Sequence, residues 1–556
     1  MTTATTQSTR LDQFFTVAEA RFDRWRKLLQ TTRDWESASK SNLEREIARA
    51  AVSSSLQELR QWEDFFAYPG PSLIRTLEER IVAGDATGCA RLVQAISTAL
   101  LTHSYRSNAS DWDNDDQSPV PIVDHLPRTG EASAPHRPYF EVLVVSPARP
   151  SAWINLAQDL RKLRRAQDRF VYETVFVGNF EDAVLGTILN GSFESVIIYE
   201  GIPFESAHNN PVLREFLTTH PSASNFNGSS AQRSLALARG LKQIRPELDI
   251  FLLSDREVEK MAGDVNATCI RRVFYQVEEP LELHLSILDA IADRYETPYF
   301  DNLQKYAQRP IGTFHALPVA RGKSIFKSNW IRDMGEFYGM NLFLAESSAT
   351  TGGLDSLLEP TGNIKVAQEK AARAFGADHV FFVTNGTSTS NKMVEQALLA
   401  PGDIMLVDRN CHKSHHYGAV LSGALPLYVE AYPLTRYSMY GAVPLRTIKK
   451  ALLDLKAAGK LERARMLVLT NCTFDGQVYN VERVMEECLA IKPDLIFLWD
   501  EAWFGFARWS PFYRRRTAMG AAAILEEKFK DPAYRKAYEA QAKKLGADLD
   551  PSNPAL

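Results

Sequence analysis

Cysteine is scarce in this chain of 556 residues: Cys89, Cys269, Cys411, Cys472 and Cys488 are the only five, widely spread and without a CxxC pair. That spacing argues against a disulfide framework and reads as free thiols in a reducing compartment. An excess of one charge is also lacking, with 64 Lys and Arg against 68 Asp and Glu and a formal net charge of -4. Such a balance implies no global nucleic-acid partner. No stretch approaches the roughly 18 apolar residues of a membrane span. The opening MTTATTQSTRLDQFF has no basic start followed by an apolar core, so no secretory signal is expected and cytoplasm is the default location. What is present is the composition of a soluble globular protein, 45% hydrophobic and 24% charged, in a chain long enough for about two to four domains.

Residues 1–104 read as a helical N-terminal region, because Phe14–Arg33 and Leu43–Tyr68 carry apolar residues at helical spacings among Arg, Glu and Lys. Trp25, Trp35, Trp62, Phe65 and Phe66 read there as packing residues. Residues 105–138, rich in Ser, Asn, Asp and Pro, read as a solvated linker. Strand candidates at Phe140–Val145, Val171–Val177, Ser195–Tyr199, Asp249–Leu253 and Arg272–Tyr275, with a helix at Phe180–Leu189, make 139–283 a small α/β domain with a parallel sheet. Asp255 follows the fourth strand where a phosphoacceptor would stand. The first strand, however, leads into Ser146-Pro-Ala-Arg149 rather than an acidic cluster, so a scaffold is expected.

A connecting helix over 284–298 leads into a large βα domain over 299–525, and a charged helical tail is expected over 526–556. In the large domain the strands expected are His379–Val383, Asp403–Asp408, Leu427–Val429, Arg465–Thr470 and the buried run Asp494–Asp500, with helices near 364–375 and 481–491.

Three places there could carry chemistry. Gly386-Thr-Ser-Thr-Ser390 lies between a strand and a helix, where backbone N–H groups and the helix dipole suit a phosphate. It is not a Walker loop, and Ser and Thr also cap helices without any ligand. Asp408-Arg-Asn-Cys-His-Lys-Ser-His-His416 follows a strand. His412 and His416 could share a helical face, but no third metal ligand stands at a conventional spacing, so no metal is expected. Asp500 ends an apolar strand, where a carboxylate either caps a loop or pairs with a cation. A protonated pyridine nitrogen is one such cation.

Taken in order, Leu354-Asp-Ser-Leu-Leu-Glu-Pro-Thr-Gly362, Phe375-Gly-Ala377, Val383-Thr-Asn-Gly-Thr-Ser-Thr389, Asp408-Arg-Asn-Cys-His-Lys-Ser414, Asn471-Cys-Thr-Phe-Asp-Gly476 and Trp499-Asp-Glu-Ala-Trp503 resemble the major domain of the pyridoxal-phosphate-dependent ornithine/lysine/arginine decarboxylases. The resemblance covers about 300–520 and implies a large domain of the aspartate-aminotransferase fold type. The α/β unit before it resembles the receiver-like wing domain of that family. The resemblance implies pyridoxal 5'-phosphate as cofactor, with Ser388 and Thr389 on its phosphate and His412 stacked on the ring. It also implies Asp500 on the ring nitrogen, Ala502 against the other ring face, Trp503 shaping the pocket, and Asn471 and Asp475 in supporting positions. The implied reaction removes the carboxylate of arginine, lysine or ornithine to give the amine and CO2, in a homodimer or larger homo-oligomer.

Two departures qualify that expectation. Thr313-Phe-His-Ala stands where the family has a segment like Thr-Pro-Gly-His. More consequentially, the family places its Schiff-base lysine several dozen residues after the strand-end aspartate, in a segment like Ser-x-His-Lys, and nothing after Asp500 matches it. Lys528, Lys530, Lys536, Lys543 and Lys544 lie in a charged, Ala-rich run that reads as solvated helix. A large domain left incomplete by truncation is therefore expected, and with it an alternative: an inactive fragment or assembly module. Another lyase or an aminotransferase on the same cofactor is the third reading.

Overall fold

The strand and helix segments form two parallel sheets, one in each of two compact units, Met1–Glu296 and Thr297–Leu556. The computed structural model describes residues 5–38, 41–106, 137–165, 167–206, 217, 230–254, 265–275, 280–312, 320–346, 354–510 and 512–545. Asp255, most of the 105–138 linker, Thr313 to Pro318, Gly352, Gly353 and the last stretch of the 526–556 tail lie outside the described residues.

The first unit opens with four helices, α1 (Thr5–Ser37), α2 (Asn42–Glu63), α3 (Gly70–Ala83) and α4 (Ala86–Thr102). Val52, Leu56 and Leu59 recur on one face of α2 and meet Trp25, Leu28 and Trp35 of α1 and Leu92, Val93 and Ile96 of α4 in a single core. Trp62 and Phe65 leave that core for the one beneath the unit's sheet, where they pack with Leu143, Phe180 and Phe193. The sheet is built from β1 (Tyr139–Val145), β2 (Val171–Val177), β3 (Phe193–Tyr199), β4 (Asp249–Ser254) and β5 (Arg272–Tyr275). Its order is β2-β1-β3-β4-β5, parallel throughout. That order defines the receiver-like, doubly wound arrangement. Helices α5 (Pro150–Lys162), α6 (Phe180–Leu189), α7 (Ser230–Ile244) and α8 (Pro280–Tyr295) accompany it.

The second unit starts with α9 (Pro298–Gln308) and carries α10 (Asn363–Phe375) and α11 (Thr387–Leu398) before its first strand. Then follow β6 (Ile404–Asp408), α12 (Lys413–Ser422), β7 (Leu425–Val429), α13 (Leu445–Ala457), β8 (Ala464–Thr470), α14 (Val481–Leu489) and β9 (Ile496–Asp500). Helices α15 (Ala518–Lys530) and α16 (Pro532–Leu545) come last. The sheet order is β9-β8-β6-β7, again parallel. Alternation along the strands divides the core. Met405, Val407, Met466 and Val468 face one side with Ala419 of α12, while Leu406, Leu467 and Leu469 face the other with α13, α14 and α15.

Two expectations need correction here. His379–Val383 forms no strand and joins no ladder among the described residues, and Phe381 is 80% exposed. An apolar run supplies strand propensity, but a strand also needs a paired neighbour. The run ending at Asp500 is an edge strand of the described sheet, and Ile496 to Trp499 are half-buried rather than covered on both faces.

Candidate active site

Parallel α/β sheets collect ligand-binding groups beyond the carboxyl ends of their strands. In the second unit those ends carry Asp408, Thr470 and Asp500. Asp500 is buried, and its Oδ2 accepts hydrogen bonds from Asn391 Nδ2 at 3.0 Å and His415 Nε2 at 3.1 Å. Its Oδ1 accepts one from the Ala502 N–H at 3.2 Å. Burial alone would raise the pKa of Asp500. The hydrogen bonds from His415 and the Ala502 amide outweigh it and hold the carboxyl below its usual range.

His415 is fully buried between two carboxylates, with Nδ1 2.6 Å from Glu395 Oε1. Burial opposes its charge, yet the hydrogen bonds to Asp500 and Glu395 push it up to about 9. That direction favours the imidazolium, the form that can donate from both nitrogens.

Helical spacing brings these groups together. Ser388, Asn391 and Glu395 follow one another at three- and four-residue steps on one face of α11, and Asn391 and Glu395 are buried. His412 is the N-cap of α12, where its Nδ1 accepts the Ser414 N–H at 3.2 Å and lies 2.9 Å from Ser414 Oγ. Asn391 Nδ2 also lies 3.1 Å from Ser414 Oγ. A continuous polar path thus runs from His412 through Ser414 and Asn391 to Asp500.

The structure therefore joins His412, Asp500 and Ala502, the last through its backbone. Ser388 and Thr389 are connected to them through the helix alone. Both stand in the first turn of α11, whose N-cap is Gly386 at φ 77, with no side chain capping the helix. They are consequently not the caps that the alternative reading made them. The Thr389 and Ser390 amides turn back on the Gly386 carbonyl at 3.0 and 3.4 Å, which leaves those of Thr387 and Ser388 without an intrahelical acceptor. Trp503 is 66% exposed and meets the Phe474 ring edge-on at 6.2 Å, outside the polar path. Asn471 is committed elsewhere: its side chain donates to Glu501 Oε1 at 2.8 Å and the Arg516 carbonyl at 2.9 Å, and accepts the Tyr479 N–H at 3.1 Å. Asp475 is exposed.

Asn391, Glu395 and His415 are the site residues that the sequence reading did not single out. The available signal was the four-residue step from Asn391 to Glu395 within a helix that also carries the Ser388 turn. Of the other histidines nearby, His416 is taken by the Tyr428 hydroxyl at 3.1 Å. Burial pushes the Cys411 thiol up to about 12, which makes it a poor nucleophile. The lysines after Asp500 whose side chains are described are engaged or solvated: Lys528 pairs with Glu486 at 2.7 Å, Lys530 pairs with Glu526 at 2.8 Å, and Lys536 is exposed.

The donor set fits a ligand that is anionic at one end and cationic at the other. An ionised, buried acid with acceptor capacity left on Oδ1 suits a protonated ring nitrogen. Uncapped amides flanked by hydroxyls suit a phosphate.

Residues 297–531 match the family profile described as Orn/Lys/Arg decarboxylase, major domain. The lysine decarboxylase LdcA of Pseudomonas aeruginosa is 31% identical over 304 residues, which cover 52% of this chain and 40% of that protein. The biodegradative arginine decarboxylase of Escherichia coli K12 is 31% identical over 50% of this chain and 38% of its own length. The inducible ornithine decarboxylase of the same strain is 34% identical over 44% of this chain and 34% of its own length. The matched part thus spans well under half the length of these curated relatives. Among solved structures, lysine decarboxylase A from Pseudomonas aeruginosa aligns with a TM-score of 0.38 and 26% identity over 69% of this chain and 49% of that one.

Proposed function

We propose, from the premise that the chain belongs through residues 297–531 to the Orn/Lys/Arg decarboxylase family, that it binds pyridoxal 5'-phosphate and serves the decarboxylation of a basic amino acid. The observation that carries this reading is the buried, ionised Asp500, held by His415, Asn391 and the Ala502 amide. His415 and Asn391 occupy Oδ2, while Oδ1 takes only the Ala502 amide, so the ionised acid keeps acceptor capacity for a pyridinium N–H.

When bound, the cofactor supplies an electron-withdrawing ring that takes up the electron pair left as CO2 departs. The chain's own part is to bind and orient. Ser388, Thr389 and the amides of Thr387 and Ser388 would hold the phosphate, Asp500 would keep the ring nitrogen protonated, and His412 and Ala502 would hold the ring between them. Trp503, edge-on to Phe474, would shape the pocket mouth. The substrate class follows from the relatives, which act on lysine, arginine and ornithine. The homodimer or larger homo-oligomer and the cytoplasmic location belong to the same proposal. No helix among the described residues is long and apolar enough to cross a membrane.

A second reading is favoured by the lysines: those described after Asp500 are salt-bridged or solvated. On that reading the chain binds the cofactor noncovalently and does not turn over substrate. Titration of the chain with pyridoxal phosphate, followed by absorbance, tests the first step, and CO2 release from arginine, lysine and ornithine tests the second. Binding with release supports the decarboxylase, binding without release supports the second reading, and no binding overturns both.

A further inference from the structure

An imidazole placed between two carboxylates has to choose a protonation state. Neutral His415 would carry one N–H: on Nε2 it leaves Glu395 Oε1 at 2.6 Å facing a lone pair, and on Nδ1 it leaves Asp500 Oδ2 at 3.1 Å facing one. Asn391 Nδ2, 3.3 Å from Nε2, meets that second lone pair only at longer range than its 3.0 Å bond to Asp500. Only the imidazolium donates to both. Glu395 has its own difficulty: its Oε2 is buried without a hydrogen-bond partner, against the backbone of Gly418. A buried carboxylate with one orphaned oxygen is costly to keep, and a neutral residue would fill the space without that cost. Among the described residues, the cation that Glu395 meets is His415. Among the described residues the Cys411 thiol also faces this cluster, and burial and the nearby carboxylates of Asp408, Glu395 and Asp500 keep it neutral. His412 reaches the cluster through Ser414 and Asn391.

We infer that Glu395 is a positioning residue: by holding His415 as the imidazolium, it keeps Asp500 ionised and fixed in one orientation for the ring nitrogen. The inference rests on the function proposed above. It extends the site one layer outward, from the acid that meets the cofactor to the acid that controls it through His415. Asp500 then keeps its Nε2–H donor at a pH where an ordinary histidine has lost its second proton. Without Glu395, deprotonation frees the ring to offer Asp500 a lone pair, and the Asp500 carboxylate turns or takes up a proton.

The test reads the histidine itself. In the cofactor-free chain labelled with nitrogen-15, both ring nitrogens of His415 are expected to be protonated at about pH 8. In Glu395→Gln, its titration is expected to fall by about one unit or more, a tenfold loss in proton affinity. A single ring proton in the unaltered chain at that pH, or a titration unchanged in Glu395→Gln, overturns the inference. The unaltered-chain measurement stands even if the variant fails to fold. Absorbance titration with pyridoxal phosphate adds the second arm, with affinity expected to drop about tenfold in Glu395→Gln. Equal affinity overturns the positioning role while leaving the proposed function intact. No binding by the unaltered chain overturns the function and the positioning role together.

Discussion

Gly418 leaves room for Glu395: a Cβ built on Gly418 would lie 1.4 Å from Glu395 Oε2 and 2.6 Å from its carboxyl carbon. Gly418 is buried in the middle of α12, where glycine is otherwise a poor choice. The helix accepts that weakness because α11 brings the carboxylate against it. Replacing Gly418 by Ala should gain about 1 kcal/mol in helix propensity. It also expels Glu395 from His415, and breaking a buried pair costs about 3–5 kcal/mol. The second effect is larger, so Gly418→Ala is expected to destabilise the second unit. A urea midpoint equal to or above that of the unaltered protein would refute the close approach.

The His415 cluster gives stability a pH dependence with a defined sign. Its folded pKa, pushed up to about 9, lies above the unfolded value of about 6.5, so the folded state binds the proton more tightly. The contribution is complete below about pH 6.5 and is lost as pH rises through about 9. Its size is on the order of 3 kcal/mol. Asp500 acts at the other end: its folded pKa is lowered, so its contribution is present above the unfolded value and lost as pH falls through the folded one. Urea unfolding between about pH 6.5 and 9 should show stability decreasing, and His415→Gln should flatten that slope.

The two halves of this site were unequally legible. Ser388, Thr389, His412 and Asp500 stand at a helix start, a helix cap and a strand end, positions marked in sequence by glycine and by the end of an apolar run. Asn391, Glu395 and His415 lie inside helices, where a polar residue ordinarily faces solvent. Their burial comes from α11 packing on α12, and neither helix announces its partner. The same limit explains His379–Val383, whose composition suits a strand but whose pairing depends on a neighbour elsewhere in the chain. In the first unit, by contrast, five short apolar runs alternating with helical segments carried the strands and the parallel sheet, while their order came from the structure.

Asp355 organises the loop that enters α10. Its Oδ1 accepts the Ser356 and Thr361 amides at 2.9 and 3.1 Å, and its Oδ2 accepts those of Gly362 and Ile364 at 2.8 and 3.0 Å. Although desolvation pulls the other way, these backbone donors hold its carboxyl below the usual range. Asp355→Ala leaves the first amides of α10 without an acceptor and is expected to cost about 2 kcal/mol, the upper end for a helix cap. Limited proteolysis should then cut within 354–363 faster than in the unaltered chain, and an unchanged cutting rate would remove Asp355 from this role.

The assignments of Ser388, Thr389 and Asp500 can be separated by comparing pyridoxal phosphate with pyridoxal, which shares the ring but lacks the phosphate. Ser388→Ala with Thr389→Ala removes two hydroxyls from the first turn of α11 while leaving its amides in place. Hydrogen bonds to a charged group contribute about 1.5–3 kcal/mol each. The double variant should therefore bind pyridoxal phosphate at least about a hundredfold more weakly and bind pyridoxal as before. Asp500→Asn does the reverse in kind: it removes the charge proposed to face the ring and should weaken both ligands by similar factors. It also takes one carboxylate from His415, so its pKa should fall as well. Should the serine and threonine variants weaken pyridoxal as much as its phosphate, those hydroxyls do not hold the phosphate. If Asp500→Asn spares pyridoxal, the buried acid serves the fold through His415 and Asn391 rather than the cofactor ring.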